Sequence, residues 1–191
     1  MLQEISAVIM ASGQSSRMGK NKLFLRYQGK TFLERVIELT LRAGFSECIL
    51  VITPEDAGKC HFSKEVNVVF NHESHLGQSN SVRLGTKKAS GSLGFLYLTV
   101  DQPLLTVEVL EKIAAHAAGD KIVFPTVDGE PESPVFFGRN FYQELIHVSG
   151  KGGGREVRDN HPEAWVPVAV HETCLKDIDS PEDYAKLLKE E

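Results

Sequence analysis

Short apolar runs alternate along the chain with longer segments whose apolar residues recur at helical spacing. A short, uninterrupted apolar run between loop residues is typical of a strand that is buried on both faces. This pattern predicts six strands, at residues 5–10, 47–53, 66–71, 93–100, 121–125 and 164–170. Helical spacing predicts four helices, at residues 31–45, 79–89, 106–118 and 181–190.

Two of the predicted helices carry recognisable end signals. Thr31 and Glu34 have the spacing of a capping box, and Gly44 is placed to end the same helix. Ser180 and Asp183 are placed to cap the last helix. The pattern is less regular between about residues 126 and 154, where Gly is frequent. We find no internal repeat and no long linker, so we expect residues 1–191 to form a single domain.

Alternating strands and helices predict an α/β protein with a mainly parallel, twisted sheet and helices on both faces, which is a three-layer αβα architecture. Ligands of such sheets bind beyond the carboxyl ends of the strands. The loop after the first predicted strand and Asp101, after the fourth, both lie at such ends. We therefore expect them to face one site. Trp165 lies among valines in the last strand, and we expect its ring in the core.

Charge and composition narrow the possible partners. The net charge of −5 disfavours DNA or RNA as the main partner, because such binding depends on many phosphate contacts. The first 42 residues nevertheless hold seven Lys or Arg residues against three Glu residues, which suits one small polyphosphate. No apolar run approaches the roughly 20 residues of a membrane span, and the N-terminus lacks the basic region of a signal peptide. The three Cys residues show no metal or redox spacing, which fits a cytoplasmic location.

The loop after the first strand, "ASGQSSRMGKNKL" at residues 11–23, interleaves small residues with cations. Such a loop is suited to cradle a phosphate with its backbone. A P-loop is excluded because five residues separate Gly13 from Gly19 and because Asn21 replaces the hydroxyl residue after Lys20. A dinucleotide fingerprint is excluded because Ser15 occupies the position of its second glycine.

This loop resembles the motif L-A-[AGS]-G-x-[SG]-x-R-M-G-x-x-K of nucleotidyltransferases with a GT-A-like fold. Three further segments are similar to motifs of the same superfamily: "HLGQSNSVRLG", "LTVDQPLL" and "DIDSPEDY". The segment "SPVFFGRNFYQELIHVSGKGGGRE" resembles a stretch of its MobA-like branch. Within that branch the chain is most similar to molybdenum cofactor cytidylyltransferases.

The resemblance implies a nucleotide site in which the loop wraps the triphosphate of a nucleoside triphosphate. Arg17 and Lys22 would neutralise the phosphates and, with Asp101, form the catalytic set. The implied nucleotide-binding residues are Ala11, Ser12, Gly13, Ser15, Ser16, Arg17, Lys22, Gly77, Gln78, Ser79, Ser81 and Asp101.

Two carboxylates are the candidate ligands of Mg²⁺, which is commonly bound by one or two carboxylates together with substrate phosphates. A carboxylate after an apolar strand is costly to desolvate unless it is paired or binds a cation, and Asp101 has that position. The alternative for Asp101 is a helix cap, although Thr106 is better placed for it. Asp179 is the second candidate ligand, and Asp177 is its weaker alternative. The spacing of His72 and His75 is expected to be incidental.

The resemblance also implies an acceptor side at about residues 126–160. Its candidate residues are Ser133, Pro134, Lys151, Gly152 and Arg155. Lys151 stands where relatives have an acidic residue. The glycine-rich loop around it is either a second anion nest or a flexible surface loop, and the resemblance favours the nest.

The implied reaction is transfer of a cytidylyl group from CTP to the phosphate of the molybdopterin cofactor, with transient contact to a molybdoenzyme. Ser12 replaces the second glycine typical of guanylyl-transferring relatives, which favours CTP over GTP. The alternatives are another phosphorylated acceptor, such as a sugar or polyol phosphate, GTP as the donor, and a non-catalytic chaperone of a molybdoenzyme.

Overall fold

The computed structural model describes residues 1–13 and 18–189. Ten short strands lie in this part of the chain. They are β1 (Ile5–Ala11), β2 (Arg26–Tyr27), β3 (Lys30–Thr31), β4 (Glu47–Ile52), β5 (Val66–Phe70), β6 (Gly94–Thr99), β7 (Ile122–Val127), β8 (Glu130–Pro131), β9 (Val135–Gly138) and β10 (Trp165–Ala169). β2 and β3 form a separate antiparallel hairpin, and the other strands share one sheet.

The helices follow the strands and cover the sheet. They are α1 (Phe32–Ala43), α2 (Pro54–Ala57), α3 (Gln78–Lys88), α4 (Val107–Ala115), α5 (Tyr142–Leu145), α6 (Arg155–Asn160) and α7 (Pro181–Lys189). The capping box of Thr31 and Glu34 is present, and Gly44 ends α1 with a left-handed φ of 77°. The Ser180 and Asp183 cap of α7 is also present. These end signals are confirmed.

The sheet has the strand order β5-β4-β1-β6-β9-β7-β10, with β8 beside β7. β5, β4, β1 and β6 are mutually parallel, as are β7 and β10, and β9 runs antiparallel to both of its neighbours. After β1 the chain turns to β4 on one side, and it later returns to β6 on the other side. The carboxyl ends of β1 and β6 therefore flank the switch point at which α/β sheets bind ligands.

Hydrophobic clusters on the two faces of the sheet confirm the predicted three layers. One cluster joins the sheet to α1, α4 and α7 through residues such as Phe32, Leu110 and Leu187. The other joins it to α3, α5 and α6 through Val82, Leu145 and Val157. Alternate residues of β6 divide between the faces, since Leu96 and Leu98 belong to the first cluster and Phe95 and Tyr97 to the second.

Helix α3 lies unusually close to the sheet. A Cβ atom built on Gly85 would overlap the side chain of Val8 in β1, so only glycine fits at this point of the helix. The start of α3 meets the carboxyl ends of β1 and β5. The close packing at Gly85 therefore fixes the distance between the start of α3 and these strand ends.

Two expectations about the later part of the chain are corrected. Residues 126–154 are more regular than their sequence indicates, because β9 is inserted between β6 and β7 and takes its hydrogen bonds from both. Trp165 is not in the core: it is 38% exposed on the edge strand β10. Its ring meets Phe124 edge-on, and its Nε1 donates to the carbonyl of Arg158 at 2.7 Å.

None of the helices in the described residues is long and apolar enough to cross a bilayer.

Candidate active site

A cleft of about 440 Å³ opens at the carboxyl ends of β1 and β6, and we call it the first cleft. Most of the described residues predicted to bind nucleotide border it: Ala11, Ser12, Gly13, Lys22, Gly77, Gln78, Ser81 and Asp101. Ser79 does not, because its hydroxyl donates to the carbonyl of Ser149 at 2.9 Å. Ser15, Ser16 and Arg17 lie outside the described residues. The structure thus brings distant sequence motifs together at the switch point.

Lys22 lies between the two predicted metal ligands. Its Nζ is 3.3 Å from Asp101 Oδ2 and 2.5 Å from Asp179 Oδ1. A short 3-10 turn over Lys22–Phe24 positions it, and Asn21 caps that turn by accepting from the backbone N–H of Leu23. Asn21 is in turn anchored by its donation to Asp56 at 2.9 Å. The contact with both carboxylates is therefore built on a fixed turn.

The charge of Lys22 is maintained by its two partners. Burial alone would lower the pKa of this ammonium group. The hydrogen bond to Asp179 and the charges of Asp101 and Asp179 outweigh burial, and the pKa lies above its ordinary value. Lys22 therefore carries a positive charge at neutral pH between two carboxylates.

Asp179 reaches the site because its segment runs alongside the end of β6. The N–H of Ile178 donates to the carbonyl of Asp101 at 2.9 Å, which places the two aspartates next to each other. Asp101 is six positions before the first residue of α4, and the N-cap of that helix is Thr106. Asp101 is therefore not a helix cap.

Asp177 lies on the other side of this charged group. Shielding of its carboxyl group from water, together with repulsion from Asp101, Asp179 and Glu132, raises the pKa of Asp177 to about 7. The residue as a whole is nevertheless exposed, and it borders a further cleft, described below, that adjoins the first. Unlike Asp179, it is not among the ion-pair partners of Lys22 found in the described residues.

Buried hydrogen bonds hold the floor of the first cleft. Asn71, at the end of β5, donates to Ser12 Oγ at 2.9 Å and accepts from Asn80 Nδ2 at 2.6 Å. The hydroxyls of Ser12 and Ser81 are 2.7 Å apart. This network fixes the end of β1 to the first turns of α3. Asn71 was not predicted, although it follows a strand and the rule applied to Asp101 also applies to it.

The second cleft, of about 250 Å³, adjoins the first and lies between β6, β9 and α6. Of the predicted acceptor residues, Ser133, Gly152 and Arg155 border it. Pro134 is buried beside them, after a cis peptide bond. Lys151 differs from the expectation, since it borders the first cleft. Arg158, Glu132 and Asp177 also border the second cleft and were not predicted to belong to an acceptor site.

The glycine-rich loop at residues 149–154 is docked onto the start of α3. Gly77 has a φ of 88°, and a Cβ atom there would lie 2.9 Å from the Cα of Lys151. A Cβ atom on Gly153, with a φ of 60°, would lie 2.8 Å from Gln78 Oε1. Both glycines are therefore needed for the close approach of loop and helix. This packing connects the walls of the two clefts.

The described residues contain no group of three His, Cys, Asp or Glu side chains that could hold a metal ion. Asp101 and Asp179 nevertheless fit a magnesium ion that is bound partly by substrate. The single Nζ atom of Lys22 contacts both of them, so a cation in that position is within reach of two carboxylates. Mg²⁺ commonly takes one or two carboxylates and completes its octahedral shell with phosphates and water.

A mainly parallel sheet with a charged cleft at its switch point defines an α/β protein that binds a ligand at the carboxyl ends of its strands. A family model for the MobA-like NTP transferase domain matches residues 7–165. The chain therefore belongs to the MobA-like NTP transferase family and is a nucleotidyltransferase.

Several relatives align over nearly the whole chain. A probable molybdenum cofactor guanylyltransferase of Natranaerobius thermophilus is 28% identical over 99% of this chain and 97% of its own length. The purine catabolism protein PucB of Bacillus subtilis is 27% identical, over 93% and 92%. The molybdenum cofactor cytidylyltransferase of Escherichia coli is 24% identical, over 96% and 95%.

Solved structures share the fold. Rv0371c from Mycobacterium tuberculosis superposes with a TM-score of 0.85 at 22% identity, covering 99% of this chain and 100% of that one. A manganese complex of the same mycobacterial protein gives a TM-score of 0.81 at 22% identity, covering 97% and 98%. A nucleotidyl transferase from Methanothermobacter gives 0.83 at 26% identity, covering 97% and 96%. The expected GT-A-like nucleotidyltransferase fold is confirmed.

Proposed function

We propose that this chain transfers a cytidylyl group from CTP to the phosphate of the molybdopterin cofactor, giving the cytosine dinucleotide form and pyrophosphate. One observation carries the proposal: the first and second clefts meet at Asp101, which borders both. Two substrates bound in adjoining clefts would bring their phosphates together beside the carboxylate pair. A binding protein that only carries one ligand has no need of this arrangement.

The first cleft is the proposed donor side. Lys22 would bind the triphosphate, and Ser12 and Gly13 would offer backbone N–H groups. Gly77, Gln78 and Ser81 would form the opposite wall. Arg17 keeps the proposed role of a second phosphate-binding cation. Ser79 acts through its hydrogen bond to Ser149, which holds the glycine-rich loop. We assign Lys151 to the donor side too, because it borders this cleft.

The second cleft is the proposed acceptor side, and the whole chain is proposed to act as one nucleotidyltransferase domain. Arg155 and Gly152 would bind the acceptor phosphate, and Ser133 with Pro134 would form the facing wall. Residues of about 126–160 supply most of this wall. The product would then pass to a molybdoenzyme by transient contact.

The chemistry requires no strong base. A phosphate monoester has a second pKa of about 6, so the acceptor is already an anion near neutral pH. Its oxygen attacks the α-phosphorus while the bond to the bridging oxygen of the β-phosphate breaks, and pyrophosphate leaves with the electron pair. The protein's part is positioning and charge neutralisation. Mg²⁺, held by Asp101 and Asp179, would supply additional positive charge next to the transferred phosphate.

Guanylyl transfer is the second candidate, because the relative that is 28% identical over 99% of this chain is named as a probable guanylyltransferase. The cytidylyl proposal relies on Ser12, whose buried hydroxyl is fixed by Asn71 and Ser81 at the cleft floor. A glycine at this position would remove that connection and alter the floor under the nucleotide.

The test is pyrophosphate release from each of the four nucleoside triphosphates, with Mg²⁺, and with or without molybdopterin cofactor. We expect release that depends on CTP and on the acceptor. Acceptor-dependent release from GTP alone would replace the cytidylyl proposal by guanylyl transfer. Release that needs a sugar or polyol phosphate would identify a different acceptor. Binding without turnover on any acceptor would favour a carrier function.

A further inference from the structure

The first and second clefts share four residues: Met10, Gln78, Thr99 and Asp101. If donor and acceptor occupy adjoining clefts, as the proposed function requires, the transferred phosphate lies where the clefts meet. Met10 is apolar, and the carboxylate of Asp101 repels phosphate unless a cation lies between them. Gln78 and Thr99 are the two neutral polar side chains at this junction.

Thr99 has a buried hydroxyl group without a hydrogen-bond partner in residues 1–13 and 18–189. In the part of the chain that the structure describes, two buried side-chain polar atoms lack a hydrogen-bond partner, and they are Thr99 Oγ1 and Gln102 Oε1. The amide nitrogen of Gln102 is anchored, since it donates to the carbonyls of Ser133 and Leu175. Thr99 has no other polar side-chain atom, so its side chain makes no hydrogen bond within the described residues. An unpaired buried hydroxyl is destabilising, so it calls for an explanation.

The sheet fixes the backbone of Thr99 but leaves its side chain able to rotate, and the Oγ1 atom is buried in the present rotamer. Thr99 is the last residue of β6 and pairs in parallel register with Met10 of β1, so its backbone is fixed by the sheet on that side. Its side chain has one torsion that matters, and a staggered rotation exchanges the hydroxyl with the methyl group. The hydroxyl can therefore turn toward a ligand at the junction without movement of the backbone.

The other polar group at the junction is less free to move. Gln78 lies against the glycine-rich loop, where its side chain is the nearest neighbour of Gly153. Its place is thus bound to the packing of that loop on α3. No hydrogen bond within the described residues holds the Thr99 hydroxyl in its present position.

We propose that the Thr99 hydroxyl is a catalytic contact that donates a hydrogen bond to a non-bridging oxygen of the transferred α-phosphate. This proposal rests on the proposed function. The acceptor oxygen forms its bond to the α-phosphorus, the bond to the bridging oxygen of the β-phosphate breaks, and that electron pair leaves with pyrophosphate. Thr99 keeps its proton throughout. It stabilises the negative charge on the equatorial oxygens, which is the kind of contact that accelerates phosphoryl chemistry.

Isosteric replacement separates this role from a structural one. Thr99→Val removes the hydroxyl and keeps the shape, and Thr99→Ser keeps the hydroxyl. Since the hydroxyl has no hydrogen-bond partner among the described residues, Thr99→Val should melt at the same temperature as wild type or higher. Its kcat should fall about 100- to 1,000-fold, with the Kd for CTP nearly unchanged, and Thr99→Ser should retain most of the kcat. Thr40→Val is the matched control, because Thr40 is a buried threonine of α1 that donates to the carbonyl of Val36. That variant should lose thermal stability and keep its kcat.

A second measurement does not depend on the acceptor. In ³¹P NMR spectra of CTP bound in the presence of Mg²⁺, Thr99→Val should shift the α-phosphorus resonance relative to wild type more than the β and γ resonances. Unchanged kcat together with unchanged resonances would overturn the proposal and leave Thr99 a structural residue. A change confined to the KM of the acceptor would equally overturn it, since the contact would then be with the acceptor. If wild-type protein binds the triphosphate and turns over no acceptor, the proposed function fails, and the NMR comparison still decides the contact of Thr99.

Discussion

The two clefts are built in different ways although they share a boundary. The first cleft lies at the ends of parallel strands and at the start of α3, and buried hydrogen bonds of Asn71, Ser12 and Ser81 hold its floor. The second cleft depends on an antiparallel strand, a glycine-rich loop and the short helix α6. Its lining includes Arg155 and Arg158 as well as the carboxylates of Asp101, Glu132 and Asp177. The first cleft thus uses the standard ligand edge of an α/β sheet, whereas the second cleft is an addition to that edge.

Removing the charge at the boundary should have the largest effect, because both clefts depend on it. Asp101→Asn keeps the shape but loses the charge that would hold Mg²⁺ against the phosphates. We expect kcat to fall about 10³-fold, since metal-assisted charge stabilisation contributes several kcal/mol. The ion pair with Lys22 is partly exposed, so unfolding free energy should change by at most about 1 kcal/mol. The measurements are steady-state pyrophosphate release and thermal unfolding.

The matched control for that variant is Asp183→Asn. Asp183 caps α7 four positions after Asp179 and borders neither of the two clefts. It should lose some stability and keep wild-type turnover. An Asp101→Asn protein that releases pyrophosphate at the wild-type rate would show that the boundary between the clefts is not the reaction centre.

The next effect tests whether the first cleft alone binds the triphosphate. Lys22→Ala should raise the Kd for CTP about 10- to 100-fold, because a charge-assisted contact contributes about 1.5–3 kcal/mol. In the absence of nucleotide the same variant should bind Mn²⁺ more tightly than wild type, since Asp101 and Asp179 lose their cation. Calorimetric titrations with CTP and with Mn²⁺ measure both affinities.

Lys112→Ala, on the exposed side of α4, is the control for Lys22→Ala. Equal CTP affinities in variant and wild type would contradict the assignment of Lys22.

Lys151 tests on which side of the boundary the glycine-rich loop acts. Lys151→Ala should weaken CTP binding about 3- to 5-fold, because an exposed charge contributes up to about 1 kcal/mol. Cytidine monophosphate should be less affected, and the KM of the acceptor should not change. Lys64→Ala is the control. Lys64 is exposed and precedes β5, so it lies at the amino end of that strand, whereas the first cleft lies at the carboxyl ends of β1 and β6. A variant with altered acceptor KM and normal CTP affinity would return Lys151 to the second cleft.

The smallest effect concerns the support of the second cleft. His161 follows α6 and bonds to Glu144 of α5 and to Glu163. The hydrogen bonds to Glu144 and then to Glu163 raise the pKa of His161 above its ordinary value of 6.5. A raised pKa in the folded state means that the stabilisation is complete below about pH 6.5 and is lost as pH rises through the higher folded value.

We therefore expect His161→Gln to lower the melting temperature slightly at pH 6 and hardly at all at pH 9. The pair is near the surface, so the difference in unfolding free energy should stay below about 1 kcal/mol. Thermal unfolding at the two pH values measures it, and CTP affinity should remain that of wild type at both. A destabilisation that is equal at pH 6 and pH 9 would mean that packing, and not charge, is lost.

The sequence predicts the strands and helices that are determined locally. An apolar run such as residues 47–53 has little alternative to a buried strand, and the capping box at Thr31 marks the start of α1. β9 escaped prediction because its four residues form a strand only between β6 and β7. Trp165 was misplaced because the sequence cannot show that β10 is an edge strand.

The residues of the candidate site also fall into two groups: those that local sequence motifs reveal and those that only the folded structure reveals. Lys22 and Asp101 lie in motifs next to strand ends, and their approach follows from the parallel sheet. The contact of Asp179 with Lys22 depends on pairing between Ile178 and Asp101, which joins distant parts of the chain. Arg158 and Thr99 gave no motif signal. What marks Thr99 is a missing partner, and a missing partner is visible only in three dimensions.

Gly85 links stability and recognition across the length of α3. It lies seven residues after Gln78, roughly 10 Å along the helix axis, and its bare Cα allows α3 to rest on Val8. A single methyl group at position 85 would overlap Val8 and push α3 away from the sheet. Gln78 and Ser81 lie at the start of α3, so the opening of the first cleft would widen or tilt without any change in a residue that borders it. The width of the first cleft is thus determined in part by the packing of α3 against the hydrophobic core.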